Sequence, residues 1–312
     1  MVDLSREFFN IRWPKGRPFQ LVALGLNAVD WICFLPDYPK HDSKTEIETL
    51  YRSGGGQTAT AAALCARYGL KTRYVGRVGD DETGQFSLRD LEKEPMDLSC
   101  VETIQGAVNQ LAIILVDRPT GERTILWSRD SKLHYRPGEL DRAWITAGQI
   151  LHMDGHDPEA CVESARWARE AGMKVSVDVD KVQPGVEEVL KLADFAIPSL
   201  DFVLQFSQKG AWQEGLEEIS KLVPGFVAVT LGKQGVAALW DGQIVEVPGF
   251  PVEPLDTTGS GDIFHGAFVY GLFQDWSAQT CLRFANGAAA LSCTRPGARS
   301  GIPRIDEVFR LL

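Results

Sequence analysis

The chain has 312 residues, of which 44% are hydrophobic, and it carries a formal net charge of −10. A chain of this length can bury a large core, and its negative charge argues against a nucleic acid or an anionic membrane as partner, because both are bound through dense positive charge. Its apolar tracts are too short to cross a bilayer and its first twenty residues lack the apolar segment of a secretory signal, so we expect a soluble globular protein of the cytoplasm.

Short runs of branched apolar residues alternate with helical patterns along the chain. This alternation is typical of an α/β protein with a mainly parallel sheet that helices cover on both faces. The predicted strands are LVALGL (21–26), TRYVG (72–76), QILHM (149–153), MKVSVD (173–178), DFAIP (194–198) and FVAVT (226–230). Helices are predicted over 58–69 and 158–172, each ended by its final glycine, Gly69 and Gly172.

Two regions interrupt this alternation. The segment TEIETLY (45–51) alternates with period two, and LAIILV (111–116) is joined to RTILW (123–127) by the turn-rich DRPTGE. We predict antiparallel strands that stand off the main sheet as a small β-sheet lid, inserted in two pieces at about 29–53 and 105–130. Because no internal repeat or low-complexity linker is present, we expect one domain over residues 1–312.

The segment DTTGSGD (256–262) directly precedes an apolar run with helical spacing. Its glycines allow successive backbone N–H groups to point the same way, and the following helix adds unpaired amides and its positive dipole end. The sequence therefore predicts an anion cradle. Asp262 is either an acid that stabilises the first helical turn or a general base beside a bound phosphate, and the motif alone favours the first reading.

The same segment resembles the C-terminal D-T-x-G-x-G-D motif of the PfkB, or ribokinase-like, family of ATP-dependent sugar kinases. Other matching segments follow the family's order: GLNAVD, SGGGQTATAAALCARYG, VGRVGDDETG, VTLGKQG and ANGAAALSCTRPGARSGIP. A Walker A motif is absent from the sequence, so the cradle would be of the ribokinase type. The resemblance implies a ribokinase-like fold, with ATP and Mg²⁺ as cofactors.

The resemblance assigns catalytic roles to the DTTGSGD segment. It implies that Asp262 is the base that removes the proton of the sugar hydroxyl. It implies that the anion hole for the transferring phosphoryl group is formed by the amides of Gly259, Ser260 and Gly261. Asp256 and Thr258, with carbonyls of the loop TRPGARS, resemble a monovalent-cation site for K⁺, and the sequence leaves open whether this chain needs the ion.

The resemblance also places a sugar site near the N-terminus. Asp30 matches the acid that accepts hydrogen bonds from two sugar hydroxyls, the alternative being a solvated acid at a strand end. Gly55 and Gly56 match the pair whose backbone meets the sugar, the alternative being a plain turn before a helix. Where many relatives have G-G-x-x-x-N, this chain has Gln57 and Thr60, and the missing amide argues against ribose and ordinary fructose.

A nucleotide site is implied by two further segments. The strand and turn VTLGKQG would pass the ATP phosphates and ribose, and ANGAAAL would form the helix wall beside adenine. The residues concerned are Thr230, Gly232, Gly235, Asn286 and Ala289.

The magnesium site departs from the family pattern. The common N-x-x-E motif is absent, and Ser199 and Phe202 stand at the corresponding places. Asp178, Asp180 or Asp201 could bind the waters of Mg²⁺, which keeps most of its water ligands in such sites. The sequence does not choose among the three.

Two other polar groups invite a functional reading. HMDGHD (152–157) offers His152, Asp154, His156 and Asp157, but a strand end entering a loop is an ordinary place for polar residues, so we disfavour a zinc site.

Arginines more often lie on a solvated surface than in a binding site, although those on lid strands could meet an anionic substituent of the substrate. The arginines considered are Arg52, Arg123, Arg129 and Arg136.

Within the family, the chain is most similar to the ketohexokinase and sulfofructose kinase branch, through GGGQTATAA, GRVGDDETG, GDIFHGA and CTRPGARSGIP. In this branch a lid acid, matched by Asp42, reaches the neighbouring subunit's site, which implies a homodimer paired through the lid. Asn109 lies near the lid and is a candidate substrate contact. We expect sulfofructose or another anionic 6-substituted fructose, then an unsubstituted ketohexose, then a nucleoside. A non-catalytic sugar or nucleotide sensor is the main rival, and an NAD-linked oxidoreductase a weaker one.

Overall fold

The computed structural model describes residues 2–119 and 122–312, which form two β-sheets and the helices that cover them. The strands are β1 Leu21–Leu24, β2 Ala28–Leu35, β3 Thr49–Gly55, β4 Thr72–Gly79, β5 Asp97–Ile104, β6 Leu111–Asp117, β7 Arg123–Ser128, β8 Ile150–Met153, β9 Lys174–Val177, β10 Phe195–Ala196, β11 Phe226–Thr230, β12 Gly235–Trp240 and β13 Gln243–Pro248. The α-helices are α1 Gln57–Arg67, α2 Glu82–Leu91, α3 Arg142–Ile145, α4 Pro158–Glu170, α5 Val186–Leu190, α6 Leu200–Ser207, α7 Trp212–Ser220, α8 Ser260–Leu272, α9 Ala278–Ser292, α10 Ala298–Gly301 and α11 Ile305–Leu311.

The larger sheet has the strand order β13-β12-β11-β10-β9-β8-β1-β4-β5. Pairing is parallel from β11 to β5, and only β11, β12 and β13 pair antiparallel within the described residues. The prediction of a mainly parallel sheet is confirmed. The sequence reading missed the hairpin β12–β13, although Asp241 and Gly242 join its strands with φ of 46° and 73°, which is a strong hairpin signal.

The smaller sheet is the lid, with the order β3-β2-β6-β7. Its outer pairs β2–β3 and β6–β7 are antiparallel, but its central pair β2–β6 is parallel. The prediction of antiparallel strands is therefore wrong at the centre, because each inserted piece contributes one hairpin and the two hairpins enter side by side. β3 begins at Thr49, later than the predicted 45, and Thr120 and Gly121 of the predicted turn DRPTGE lie outside the described residues.

Two hydrophobic clusters fill the two faces of the larger sheet. One contains residues of α1, α8, α9 and α11, and the other contains residues of α4, α5, α6 and α7. α1 and α8 pack closely, since a Cβ on Gly266 would lie 2.7 Å from the carbonyl oxygen of Ala61. This packing brings the start of α8, with the DTTGSGD segment, next to the glycines that precede α1. Among the described helices, none is long and apolar enough to cross a membrane.

Candidate active site

The segment DTTGSGD, predicted to be an anion cradle, lies at the start of α8. Gly259 caps this helix with a φ of 74°, and a Cβ there would lie 2.5 Å from the Cβ of Ala298, so both conformation and space require glycine. Asp256 is buried and accepts hydrogen bonds from the backbone N–H of Thr258 at 2.9 Å and of Gly297 at 2.7 Å. One carboxylate thus joins the motif to the TRPGARS loop.

Asp262 lies in the first turn of α8, after Gly259, Ser260 and Gly261. Its pKa is raised well above the ordinary value, first because the carboxyl group is desolvated and then because it lies near the carboxylates of Asp178, Asp30 and Asp180. Such an acid is a stronger base than a solvated aspartate once it is ionised, which suits proton removal from a sugar hydroxyl.

Asp30 is buried within β2, with 5% of its surface exposed. This burial excludes the alternative of a solvated acid. Desolvation raises its pKa to about 7; the charge of Arg299 opposes this rise and that of Asp256 adds to it. A Cβ on Gly55 would lie 2.0 Å from Oδ2 of Asp30, so the carboxylate rests against the Gly55 backbone. The acid and the glycine assigned to the sugar are therefore in contact.

The start of α1 contributes the other predicted sugar-site residues. Gly56 caps the helix with a φ of 92°, and Oε1 of Gln57 lies 2.7 Å from Nε2 of His156. Thr60 is fully buried, and its hydroxyl has no hydrogen-bond partner among the described residues. An unpaired buried hydroxyl at this point fits a substrate contact. The sequence reading did not associate His156 with Gln57, because a loop residue gives no periodic signal of its neighbours.

Two cations lie on the side of the lid that faces the cradle. Arg123 on β7 donates a hydrogen bond to the hydroxyl of Thr257 in the motif. The ammonium group of Lys181 lies 5.2 Å from the ring centroid of Trp127, also on β7. The sequence reading missed Lys181, which belongs to the loop after β9 rather than to the lid.

The remaining arginines considered above have other partners. Arg52 stacks over the ring of Phe86 at 4.0 Å, and Arg129 forms two 2.8 Å hydrogen bonds to Asp157. The backbone N–H of Arg136 donates to Glu139 at 3.0 Å. The contacts of Arg52 and Arg129 stabilise the fold and leave Arg123 as the arginine that meets the cradle.

The polar residues of HMDGHD also have separate partners. Asp154 accepts hydrogen bonds from the N–H of Leu26 and the hydroxyl of Thr58, at 2.5 and 2.8 Å. Nδ1 of His152 lies 3.1 Å from the hydroxyl oxygen of Ser176. Within the residues that the structure describes, no group of three or more His, Cys, Asp or Glu side chains could hold a metal ion by itself.

The structure separates the three acids considered for Mg²⁺. Asp178 and Asp180 follow β9 at the carboxyl edge of the sheet and lie close enough to Asp262 to raise its pKa, whereas Asp201 is exposed on α6. Ser199 caps α6 by accepting from the N–H of Phe202 at 3.2 Å. Carboxylate oxygens near the phosphate cradle fit Mg²⁺, which prefers hard oxygen donors.

The proposed monovalent-cation site also has suitable donors. Thr258 is buried, and its hydroxyl oxygen has no partner in the described part of the chain. The carboxylate of Asp256 lies two residues before it and binds its backbone N–H. An orphaned hydroxyl oxygen beside a buried carboxylate fits a K⁺ ligand set.

The residues assigned to the nucleotide lie around β11, β12 and α9. Thr230 ends β11, and Gly232 and Gly235 adopt φ of 57° and 103° in the following turn. The side-chain amide of Asn286 donates to the carbonyl oxygens of Val247 and Pro248, which ties α9 to β13. Ala289 lies on the same helix and is half-buried. Asn286 therefore shapes this wall through backbone contacts.

The last two predicted residues do not reach the cradle through any described contact. The amide of Asn109 accepts from the N–H of Gly79 at 3.0 Å and donates to the carbonyl oxygen of Gln110 at 2.9 Å, so both ends stabilise the loop before β6. Asp42 is exposed in the segment between β2 and β3, with a φ of 54°.

A cavity of about 690 Å³ lies between β3, α2 and α10. Each of its five basic side chains has an acidic partner: Arg52 with Glu82 at 4.0 Å, Arg67 with Glu94 at 2.6 Å, Lys93 with Asp90 at 3.2 Å, Arg295 with Glu307 at 2.8 Å, and Arg299 with Asp90 at 3.0 Å. Because these charges neutralise one another and the acids of the cradle lie elsewhere, we place the chemistry at the start of α8.

Comparison with known proteins shows which family the chain resembles. Residues 19–305 match the family model described as pfkB family carbohydrate kinase. The chain is 30% identical to an ATP-dependent ribose-1-phosphate kinase of Halopiger xanaduensis over 277 residues, which are 88% of this chain and 91% of the relative. It is 28% identical to a ribokinase of Haemophilus influenzae over 300 residues, 94% of this chain and 98% of the relative. The solved structure of Arabidopsis thaliana ribokinase complexed with ribose and ATP superposes with a TM-score of 0.81 at 24% identity, covering 94% of this chain and 98% of that one.

Proposed function

The chain belongs to the pfkB family of carbohydrate kinases, and we propose that it transfers the γ-phosphoryl group of ATP to a primary hydroxyl of a ketose-like sugar, with Asp262 as the base. The observation that carries this proposal is the position of Asp262, in the first turn of α8 beside the cradle amides and near the sugar-site acid Asp30. Transfer of a phosphoryl group from ATP to a sugar requires a base that lies between the phosphate site and the sugar site.

Phosphoryl transfer needs mainly alignment and charge stabilisation from the protein. Asp262 would take the proton of the sugar hydroxyl as its oxygen attacks the γ-phosphorus. The amides of Gly259, Ser260 and Gly261 would donate to the phosphoryl oxygens, and the guanidinium group of Arg123 lies beside them through its contact with Thr257. The desolvation that raises the pKa of Asp262 also strengthens these electrostatic contacts.

Two metal ions belong to this proposal. Mg²⁺ bound with ATP neutralises phosphate charge, and Asp178 and Asp180 would hold it through its water ligands. Asp256 and Thr258 would hold K⁺, with the unpaired hydroxyl oxygen of Thr258 as one ligand. Of these oxygen donors, those of Asp178, Asp256 and Thr258 are buried, and that of Asp180 is exposed.

For the sugar, we propose sulfofructose or another anionic 6-substituted fructose. Asp30 and the Gly55 backbone would bind the ring hydroxyls, and Thr60 has an unpaired hydroxyl at the position where many relatives carry an asparagine. Lys181, near Trp127 of the lid, is a cation that could meet an anionic substituent with a charge-assisted hydrogen bond. The relative named for ribose 1-phosphate has a charged sugar as its named substrate, which supports an anionic acceptor.

We further propose a homodimer paired through the lid, with Asp42 reaching the neighbouring site. The outer face of the lid carries exposed apolar side chains at Leu50, Ile113 and Leu126, which are 50%, 40% and 54% exposed. Strand pairing places Ile113 opposite Leu126, so the two form one apolar row. Such a row is typical of a surface that another chain covers.

A coupled assay of ADP release tests the substrate proposal. The acceptors compared are fructose, fructose 6-phosphate, 6-deoxy-6-sulfofructose, ribose and adenosine, each by its kcat/KM. We expect the anionic fructoses to give the highest values. Preference for an uncharged sugar or for adenosine would overturn the anionic substrate and leave the kinase assignment in place.

The rival function is a non-catalytic sensor with the same fold. It would show a melting temperature raised by one of these sugars without any acceleration of ATP turnover. The retained base at Asp262 and the glycine cap of α8 support the enzyme instead.

A further inference from the structure

One buried contact beneath the cradle joins an acid proposed to hold Mg²⁺ to a histidine that has no part in the chemistry described so far. His265 lies on α8 one turn after Asp262, and its Nε2 is 3.2 Å from Oδ1 of Asp178. Both side chains are buried, with 2% and 6% of their surfaces exposed. The pair therefore joins the helix of the base to the carboxyl end of β9.

Both partners are fixed by the fold. The backbone N–H of Asp178 donates to the carbonyl oxygen of Met153 at 2.9 Å, which continues the pairing of β8 and β9. α8 is buried from Ile263 to Leu272 and packs against α1, so the imidazole of His265 has little freedom to move. His265 thus holds the Asp178 carboxylate in one position relative to Asp262.

The neighbouring titratable groups do not replace this contact. His152 lies 5.7 Å from His265 between ring centroids, and its Nδ1 faces the hydroxyl of Ser176. His156 faces Gln57 and lies 3.6 Å from Asp180. Each of these side chains has another partner, and His265 is the histidine that contacts Asp178.

From this geometry we infer that His265 is a positioning residue, which holds Asp178 so that its carboxylate binds the waters of the Mg²⁺ bound with ATP. Asp178 then serves where the N-x-x-E acid of the family is absent, since Ser199 and Phe202 occupy those places. His265 engages one carboxylate oxygen, and the other oxygen can accept from a metal-bound water.

The inference rests on the proposed kinase function and is tested by metal binding. Free Mn²⁺ is measured by electron paramagnetic resonance in the presence of ADP and the full chain, for the wild type and for His265→Leu, His265→Gln and Asp178→Asn. Loss of a residue that orients a metal ligand typically weakens metal affinity by about 10- to 100-fold. We expect a loss of this size in His265→Leu and recovery of most of it in His265→Gln, whose amide N–H can still donate to Asp178.

The double variant His265→Leu with Asp178→Asn separates positioning from a general structural effect. If His265 acts through Asp178, the double variant binds Mn²⁺ no more weakly than Asp178→Asn alone. His152→Asn is the matched control, a buried histidine at the same sheet edge, and its Mn²⁺ affinity should equal that of the wild type. Melting temperatures identify any variant that fails to fold.

Two results would overturn the inference: unchanged Mn²⁺ affinity in folded His265→Leu, or additive losses in the double variant. Failure of the proposed function looks different, because the wild type would then release no ADP with any sugar. A chain that turns over sugar while His265→Leu keeps its metal affinity is a kinase in which His265 has only a packing role.

Discussion

Arg123 of the lid donates a hydrogen bond to the hydroxyl of Thr257, a residue of the phosphate-binding motif. Arg123 lies on β7 of the lid, and Thr257 lies in the segment before α8. The two residues are 134 positions apart in the chain. The lid therefore contacts the cradle directly through a cation.

Replacement of Arg123 tests whether this contact assists phosphoryl transfer. Hydrogen bonds to charged groups contribute about 1.5–3 kcal/mol, so we expect Arg123→Ala to lower kcat by about 10- to 100-fold. Arg118→Ala is the control, since this exposed lid arginine pairs with Glu48 at 3.3 Å instead of the motif. Equal turnover of the two variants would show that Arg123 does not assist phosphoryl transfer.

Asp262→Asn keeps the size of the side chain and removes the base. A positioned general base contributes about 10²- to 10⁴-fold, so we expect kcat to fall by this factor while the Kd of ATP changes little. Single-turnover kinetics and calorimetric ATP binding measure the two quantities. Asp201→Asn, an exposed acid on α6, should retain wild-type turnover. Near-full turnover of Asp262→Asn would remove this residue from the mechanism.

The raised pKa of Asp262 predicts the direction of the pH dependence. Because this carboxyl group remains protonated at pH values where an ordinary aspartate is ionised, activity should be lost on acidification at a pH clearly above 3.8, the ordinary value. The profile of kcat/KM for the sugar between pH 5 and pH 9 shows this acid limb. A flat profile down to pH 5 would contradict the assignment.

Asp30 predicts a pH dependence of stability with a definite sign. The pKa of Asp30 is about 7 in the folded chain, against 3.8 for the ordinary group. The stability that the protonated carboxyl group contributes is therefore fully present below pH 3.8 and is lost as the pH rises through 7. The difference corresponds to a free energy of unfolding on the order of 4 kcal/mol. We therefore compare the melting temperature of Asp30→Asn with that of the wild type at two pH values. The difference, variant minus wild type, should be larger at pH 8 than at pH 5. A difference that is the same at both pH values would be the opposite result.

Lys181 predicts substrate selectivity. If its ammonium group meets an anionic substituent, Lys181→Met should lower kcat/KM for 6-deoxy-6-sulfofructose by about 10- to 100-fold and leave the value for fructose unchanged. Lys191→Met serves as control, because Lys191 on the surface near α5 pairs with Glu188 at 2.6 Å. Parallel losses for both sugars would show that Lys181 does not read the substituent.

The sequence by itself identified the parallel sheet, the helices α1, α4 and α8, and the phosphate motif. Strand and helix patterns depend on neighbours within about a dozen residues, and DTTGSGD carries its cap glycine and base in seven consecutive positions. The hairpin β12–β13 was missed although its turn residues signalled it. The parallel central pair of the lid had no such signal, because β2 and β6 are separated by 75 residues or more.

Only the tertiary structure decided which polar side chains act together. Asp178 and Asp201 are equal candidates in the sequence, yet the first lies beside Asp262 at the sheet edge and the second is exposed on α6. Likewise, Asn109 was a candidate substrate contact until its amide proved to bind the backbone of Gly79 and Gln110. The role of a polar side chain depends on its burial and on partners far away in the chain, and the packing of helices on the sheet sets both.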